Sequence, residues 1–326
     1  MSKKSLLLVH AHPDDETIGT GITMAKYVSQ GVNVTLVTCT SGEEGEVLVP
    51  ELINLAADKD DKLGSHRQIE LANAMQEIGL TDHRFLGGAG KYRDSGMIGT
   101  SANERKDNFW QADLQEAADE LVKIIREVKP QVVVTYDDFG GYGHPDHIKA
   151  HRVTHYATDL ASVVSYKPEL GQVWEVSKIY WTAIPKSQMQ KGIEALANAG
   201  GSKFFGVDSA DELPFVLEDK FVTTTIDGQD LIEKKLAALR CHKTQVEETG
   251  PFFQMAQLLG TAALGIEYFR LVKGINLLNI LYSVVRYPPM FCFIVSAISF
   301  GNPNPNVFMD MLSMSLLTRK IELING

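Results

Sequence analysis

The sequence predicts an α/β protein: a Rossmann-like, mostly parallel sheet with helices on both faces and the active site at the carboxyl ends of the strands. Three observations carry this. Short apolar runs alternate with stretches of helical periodicity. The first run, Leu6-Leu-Leu-Val9, reads as a buried strand. The two segments densest in histidine and carboxylate each follow a strand-like run, HAHPDDE after the first and DDFGGYGHPDH after the fourth.

The elements follow in order. Ser5 to Ala11 is the first strand. ETIGTGITMAKYVSQG, from Glu16, sets Ile18, Ile22, Ala25 and Val28 at helical spacing and closes at Gly31. Val32 to Cys39 is rich in β-branched residues and strand-like. HRQIELANAMQEIGL, from His66, places Ile69, Ala72, Met75 and Ile78 on one helical stripe. His83 to Gly87 is a third short strand. DLQEAADELVKIIREV, from Asp113, is a helix that stops before Pro130. Gln131 to Asp137 is the fourth strand, and Ser177 to Pro185 a later one. Residues 40–64 and 87–110 are Gly- and charge-rich loops, too long to be mere connectors.

The chain has 326 residues, 44% hydrophobic and 22% charged, which is ordinary globular composition and enough to bury a core without staples. Its formal charge of −10, with no basic stripe, argues against a nucleic-acid partner. Cys39, Cys241 and Cys292 are far apart and unpaired by motif, which points to a reducing cytoplasm. The apolar LLLV run is too short for the core of a signal peptide. From Ile275 the character changes. The expected organisation is a catalytic domain over 1–274 and an apolar C-terminal extension over 275–326. Met290 to Phe300 is an apolar run of 11 residues, against the about 20 a membrane helix needs. The extension therefore reads as an appendage packing on the domain or on a second subunit.

His12, Asp14 and Asp15 fall on one turn after the first strand, and His144 and His147 frame a second turn of similar wording, HPDD against HPDH. Imidazole with carboxylate suits zinc, whose catalytic sites take three protein ligands and keep one position open; iron(II) accepts the same set. Two ligands from one loop and one from the other would leave a carboxylate to accept a proton from water. A histidine would remain to steady an oxyanion or protonate a leaving amine. The plain alternative is that Asp14 or Asp15 only caps the helix from Glu16. His10, His151 and His155 read as packed or surface residues, and His242 receives no role. A nucleotide-binding reading fails because Gly19-Thr-Gly21 lacks a third glycine and the turn's carboxylates would repel a pyrophosphate.

Ala11-His-Pro-Asp-Asp-Glu16 resembles the signature of the PIG-L/LmbE-type zinc deacetylases. Within that superfamily the chain is most similar to the actinobacterial N-acetyl-glucosaminyl-inositol deacetylases of mycothiol biosynthesis. The similarity lies in Thr38 to Val47, in Leu86-Gly-Gly-Ala-Gly90 with Arg93-Asp-Ser-Gly-Met97, and in Thr135-Tyr-Asp137 with Gly140-Gly-Tyr-Gly-His-Pro-Asp-His147. It runs from about Leu6 to about Gly274. The resemblance implies a hydrolase that removes the acetyl group of 1-(2-acetamido-2-deoxy-glucopyranosyl)-myo-inositol. The alternatives are the sister mycothiol S-conjugate amidase and deacetylation of another small N-acetylglucosamine-containing sugar. It implies that His12, Asp15 and His147 ligate zinc, that Asp14 is the general base, and that His144 stabilises the oxyanion or acts as general acid. Asp146 would orient the His144 ring, and Tyr142 would bond the substrate carbonyl. Arg67 and Asp94 would contact inositol and sugar hydroxyls, with Glu46 a further polar candidate. At Gly19 the chain departs from the family pattern, where a polar residue is usual, which puts one hydroxyl contact to substrate in question.

Overall fold

A computed structural model describes residues 4–200, 206–260 and 262–274. The extension expected over 275–326 lies outside the described residues. The strands are β1 (Ser5–His10), β2 (Asn33–Thr38), β3 (Asp82–Phe85), β4 (Val132–Thr135), β5 (Lys178–Pro185), β6 (Val216–Leu217), β7 (Thr224–Asp227) and β8 (Ile266–Lys273). The helices are α1 (Asp15–Ser29), α2 (Leu63–Ile78), α3 (Leu114–Val128), the short turn α4 (Gly140–Gly143), α5 (Pro145–Ala161), α6 (Lys186–Asn198), α7 (Ile232–Cys241), α8 (Pro251–Leu259) and α9 (Ala262–Gly265). No helix among the described residues is long and apolar enough to cross a membrane.

The sheet runs β3-β2-β1-β4-β5-β8-β7, with β6 paired to β5. The five strands from β3 to β5 are parallel, whereas β8 joins β5 and β7 antiparallel. The α/β class and the central parallel strands match the sequence expectation. The antiparallel extension was not expected, because β7 and β8 lie in a stretch to which no strand was assigned.

Alternation within β1 explains the two-faced burial. Leu6 and Leu8 point into a core shared with α1, α2 and α7, while Leu7 and Val9 point into the opposite core, shared with α3 and α5. A parallel strand buried on both faces has no polar side to show, hence the unbroken LLLV. On α2 the expected stripe is displaced: Leu71, Ala74, Met75 and Ile78 are buried, whereas Ile69 is 60% exposed and Ala72 faces solvent. The buried set follows the i, i+3, i+4, i+7 pattern, which Ile69 and Ala72 do not join.

A buried ion pair ties the antiparallel edge to α1. Glu267 on β8 accepts from Ile22 N–H (2.9 Å), Thr23 N–H (2.8 Å) and the Thr23 hydroxyl (2.7 Å). Lys235 on α7 donates to Glu267 (2.8 Å) and to the Ile18 carbonyl (2.8 Å). These side chains enter the hydrogen bonding of α1, whose first turn carries the carboxylates of the candidate site. On the other face Arg126 of α3, 2% exposed, donates to the carbonyls of Leu160, Ala161, Val163, Lys167 and Gly171. It thereby satisfies the carboxyl end of α5.

Candidate active site

β1 and β4 are hydrogen-bonded neighbours, and the chain leaves them toward opposite sides of the sheet. Their carboxyl ends therefore open the crevice in which open α/β sheets bind ligands. β1 delivers residues 11–16 into one wall, and β4 delivers residues 136–147 into the other.

Asp15 begins α1, and its Oδ2 accepts from His12 N–H (2.9 Å) and from the Tyr136 hydroxyl (2.8 Å). The same oxygen lies 3.3 Å from His12 Nδ1 and 3.3 Å from His147 Nε2, and those nitrogens are 3.3 Å apart. Three donor atoms thus form an equilateral triangle. A tetrahedral ion with bonds of 2.0–2.1 Å has ligand–ligand edges of about 3.3–3.4 Å, so both the donor set and its spacing fit zinc. Burial alone would raise the Asp15 carboxyl, but His147 and His12 outweigh it and hold it well below the usual range.

The far side of His12 is also built. Its Nε2 faces Asp146 Oδ2 at 3.2 Å and Asp94 Oδ1 at 3.5 Å. Donation from Nε2–H to Asp146 leaves the Nδ1 lone pair for the triangle. Burial opposes charging of this ring, but Asp94, Asp146 and Asp15 prevail and raise its pKa. Asp146 is held in turn by Ser95, through its N–H (2.8 Å) and its hydroxyl.

This corrects the role expected of Asp146. Its carboxylate orients His12, and only its backbone N–H reaches His144, donating to Nδ1 at 3.1 Å. The reason is local: His144 is the N-cap of α5, Pro145 holds the first helical position, and the His144 ring accepts the Asp146 N–H as the capping group. With Nδ1 accepting, His144 is neutral and carries its proton on Nε2. His144 shares a group of potential metal donors with His12 and His147, yet its lone pair is already used. Burial, with the His12 and His147 rings nearby, pushes its pKa down to about 3.

Asp14 takes the N-cap position of α1 with φ 121°, and its side chain makes no capping bond. The plain capping reading of Asp14 therefore fails. Such a backbone costs on the order of 1–3 kcal/mol in a non-glycine residue and clusters at functional sites. Its carboxylate pairs with Arg67 instead, Oδ2 to Nη2 at 3.2 Å. Burial, countered by Arg67, raises the Asp14 pKa to about 6.

Arg67 is 3% exposed and also donates to the Gly42 carbonyl (2.8 Å) and the Pro13 carbonyl. A Cβ at Gly42 would collide with this guanidinium, and Gly42 has φ +69°. Arg67, expected to contact substrate hydroxyls, is thus a buried partner of Asp14. Asp94 is 3% exposed and accepts from Gly96 N–H (2.8 Å) and Glu44 N–H (3.2 Å), with His144 Nε2 3.9 Å away. Tyr142 is half-exposed over the mouth, its ring 4.9 Å from that of His147 and 6.1 Å from that of His144. The turn that carries it depends on Gly140, φ +66°, where a Cβ would stand 2.7 Å from His147 Cβ. Glu46 is not drawn in: its side chain is exposed, and its carbonyl accepts from Gln245. A Cβ at Gly19 would meet Thr182 and His10 at 3.8 and 3.9 Å, so a side chain there points behind the crevice. The histidines read as packed are so placed: His10 bonds Thr20 (3.0 Å), His151 the Tyr136 carbonyl (3.0 Å), and His155 accepts from Trp181 (2.9 Å).

Two residues that touch the site's side chains were not picked out from the sequence. Tyr136 donates to Asp15, accepts from Ala11 N–H at 2.8 Å and stacks on His147 with ring centroids 4.2 Å apart. Its position at the carboxyl end of β4 was the available signal. His242 reaches Glu16 Oε1 at 3.0 Å from the end of α7, and nothing local in LRCHKTQ announces that.

Residues 7–158 match the PIG-L family model, described as GlcNAc-PI de-N-acetylase. A 1D-myo-inositol 2-acetamido-2-deoxy-alpha-D-glucopyranoside deacetylase of Catenulispora acidiphila is 56% identical over 272 residues, 83% of this chain and 84% of its own. The protein of the same description from Geodermatophilus obscurus is 56% identical, covering 83% of this chain and 92% of its own. Among solved structures, an N,N'-diacetylchitobiose deacetylase from Pyrococcus horikoshii superposes with a TM-score of 0.56 at 20% identity, over 84% of this chain and 85% of that one. That likeness concerns the fold.

Proposed function

Because this chain belongs to the PIG-L family of de-N-acetylases, we propose that it hydrolyses the acetamide of 1D-myo-inositol 2-acetamido-2-deoxy-α-D-glucopyranoside. The products are acetate and the free amine, the deacetylation step of mycothiol biosynthesis. The substrate follows from the names of relatives 56% identical over most of the chain. The chemistry rests on one observation, the 3.3 Å triangle of His12 Nδ1, Asp15 Oδ2 and His147 Nε2. In this reading those atoms hold zinc, and residues 1–274 are the catalytic unit.

A zinc ion held by these three residues would supply polarisation of the amide carbonyl and a water whose pKa is lowered to about 7. Asp14 accepts the proton of the attacking water, its carboxylate held by Arg67 at 3.2 Å. His144 presents Nε2–H to the developing oxyanion. A neutral imidazole has a hydrogen bond to give there but no proton to spare. Of the two roles left open for His144 this is therefore the one taken, and Asp14 returns its proton to the departing amine. Tyr142, at the mouth, donates its phenol to the substrate carbonyl. Asp94, in the crevice wall, is the acceptor for a sugar hydroxyl.

The experiment is acetate or amine release from the inositol glycoside, from N-acetylglucosamine and from a mycothiol S-conjugate. Each runs with zinc, with chelator and with Asp14→Ala. Fast turnover of the inositol glycoside, lost with chelator and with Asp14→Ala, is expected. A preference for the S-conjugate would move the assignment to the amidase reaction on the same site. Turnover that survives chelation of all metal would overturn the reading.

A further inference from the structure

Glu16 and His242 are both fully buried, although 226 residues separate them. His242 Nε2 lies 3.0 Å from Glu16 Oε1, which also accepts the Thr17 hydroxyl at 2.6 Å. The other oxygen, Glu16 Oε2, accepts the Asp14 N–H at 2.9 Å. His242 Nδ1 is buried with no partner among the described residues, so the ring's polar contacts all lie on the Glu16 and Thr17 side. The ring is fixed from elsewhere. Its carbonyl accepts from Gln245 and Val246 N–H (3.0 and 2.9 Å), and Thr244 is docked on Glu70 of α2 by its N–H (2.9 Å) and hydroxyl (2.7 Å).

We propose that His242 is a positioning residue for the deacetylase reaction. Through Glu16 it holds the Asp14 peptide at φ 121°, the conformation that presents the Asp14 carboxylate to Arg67 and the crevice. The inference rests on the assignment of Asp14 as base. A non-glycine residue at positive φ persists only where its surroundings over-determine it. Asp14 has no side-chain cap to do so, and its N–H is bonded to Glu16. A carboxylate at Glu16's depth is kept in place only by donors, and beside the local Asp14 N–H and Thr17 hydroxyl His242 is the one delivered from a distant segment. Without it Glu16 turns toward another donor, the Asp14 peptide relaxes, and the base swings away from Arg67. Among the described residues the hydrogen bonds of the His242 ring go to Glu16 and Thr17 and not to His12, Asp15 or His147, so metal and substrate binding should be largely spared.

Two substitutions separate this role from simple packing. His242→Asn leaves an amide too short to reach Glu16, whereas His242→Gln brings an amide nitrogen near the place of Nε2. Each protein is crystallised metal-free, assayed for metal content, and measured for kcat and KM on the inositol glycoside. The Asn variant should keep one metal per chain and lose about 10–100-fold in kcat with KM within about threefold, as expected of a misplaced reacting group. Its Asp14 φ should turn negative. The Gln variant should recover most of kcat and keep the positive φ. A folded, metal-loaded Asn variant with wild-type kcat and unchanged Asp14 overturns the proposal. If the Asn variant does not fold, Glu16→Gln takes its place; the same kcat loss at full metal content is expected, and wild-type kcat would again overturn it. Absence of turnover in the wild-type protein would instead count against the proposed substrate, and the Asp14 backbone in the crystals would still decide the clamp.

Discussion

Tyr136→Phe isolates one oxygen at the candidate metal centre. The ring stacked on His147 at 4.2 Å is kept, and no cavity forms. Three bonds are lost: the hydroxyl's donation to Asp15 Oδ2 at 2.8 Å, its acceptance from Ala11 N–H at 2.8 Å, and its 3.3 Å bond with His10 Nδ1. A hydrogen bond to a charged group contributes about 1.5–3 kcal/mol. At about 1.4 kcal/mol per decade, that is roughly 10–100-fold in zinc affinity if the bond fixes Asp15 as a ligand. The orphaned Ala11 N–H, buried, costs about 1–3 kcal/mol of stability without metal. Zinc affinity is measured by competition with a chromophoric chelator, and metal-free stability by urea unfolding. Asp15→Ala serves as the variant that should abolish tight binding. A folded Tyr136→Phe protein with zinc affinity within twofold of wild type would refute the argument that Tyr136 sets the ligand geometry. Wild-type affinity in Asp15→Ala would remove Asp15 from the ligand set altogether.

Glu267→Leu should destabilise the protein by about 3–5 kcal/mol, because it strands the Lys235 ammonium in the core. Lys235→Met with Glu267→Leu should recover much of that loss in urea unfolding, and strictly additive losses would show that the two are not coupled. Arg126→Met leaves five carbonyls around the end of α5 without their shared donor. A fall of about 3 kcal/mol, or roughly 6–12 °C in Tm, is expected by calorimetry, and a shift below 2 °C would contradict the capping role. Burial and His151 lower the pKa of His155 from 6.5 to about 4. Below pH 6.5 the unfolded chain takes up this proton and the native chain does not, so the stability His155 contributes is complete above 6.5 and falls toward 4. The stability difference between wild type and His155→Gln, measured from pH 8 to pH 4.5, should therefore move against the wild type as pH falls; a constant difference would refute it.

Legible in the sequence were the α/β class, the central strands and their helices, and the presence of a His/Asp turn at each of two strand ends. These are legible because period and turn chemistry are local. LLLV reads as a strand covered on both faces, and the HPDD and HPDH segments carry their donors within a few residues. What the sequence could not give is who meets whom across the chain. The order β3-β2-β1-β4-β5-β8-β7 decides that the two turns flank one crevice. The His144 cap decides that the Asp146 carboxylate serves His12. The pairing of Arg67 with Asp14 was not legible because its partners, Gly42, Pro13 and Asp14, lie on other segments. His242 had no readable role for the same reason, since its ring meets a carboxylate 226 residues away. Local periodicity fixes the faces of each element, but the contacts between distant elements are selected by the packing of all of them at once, and only the tertiary structure contains that choice.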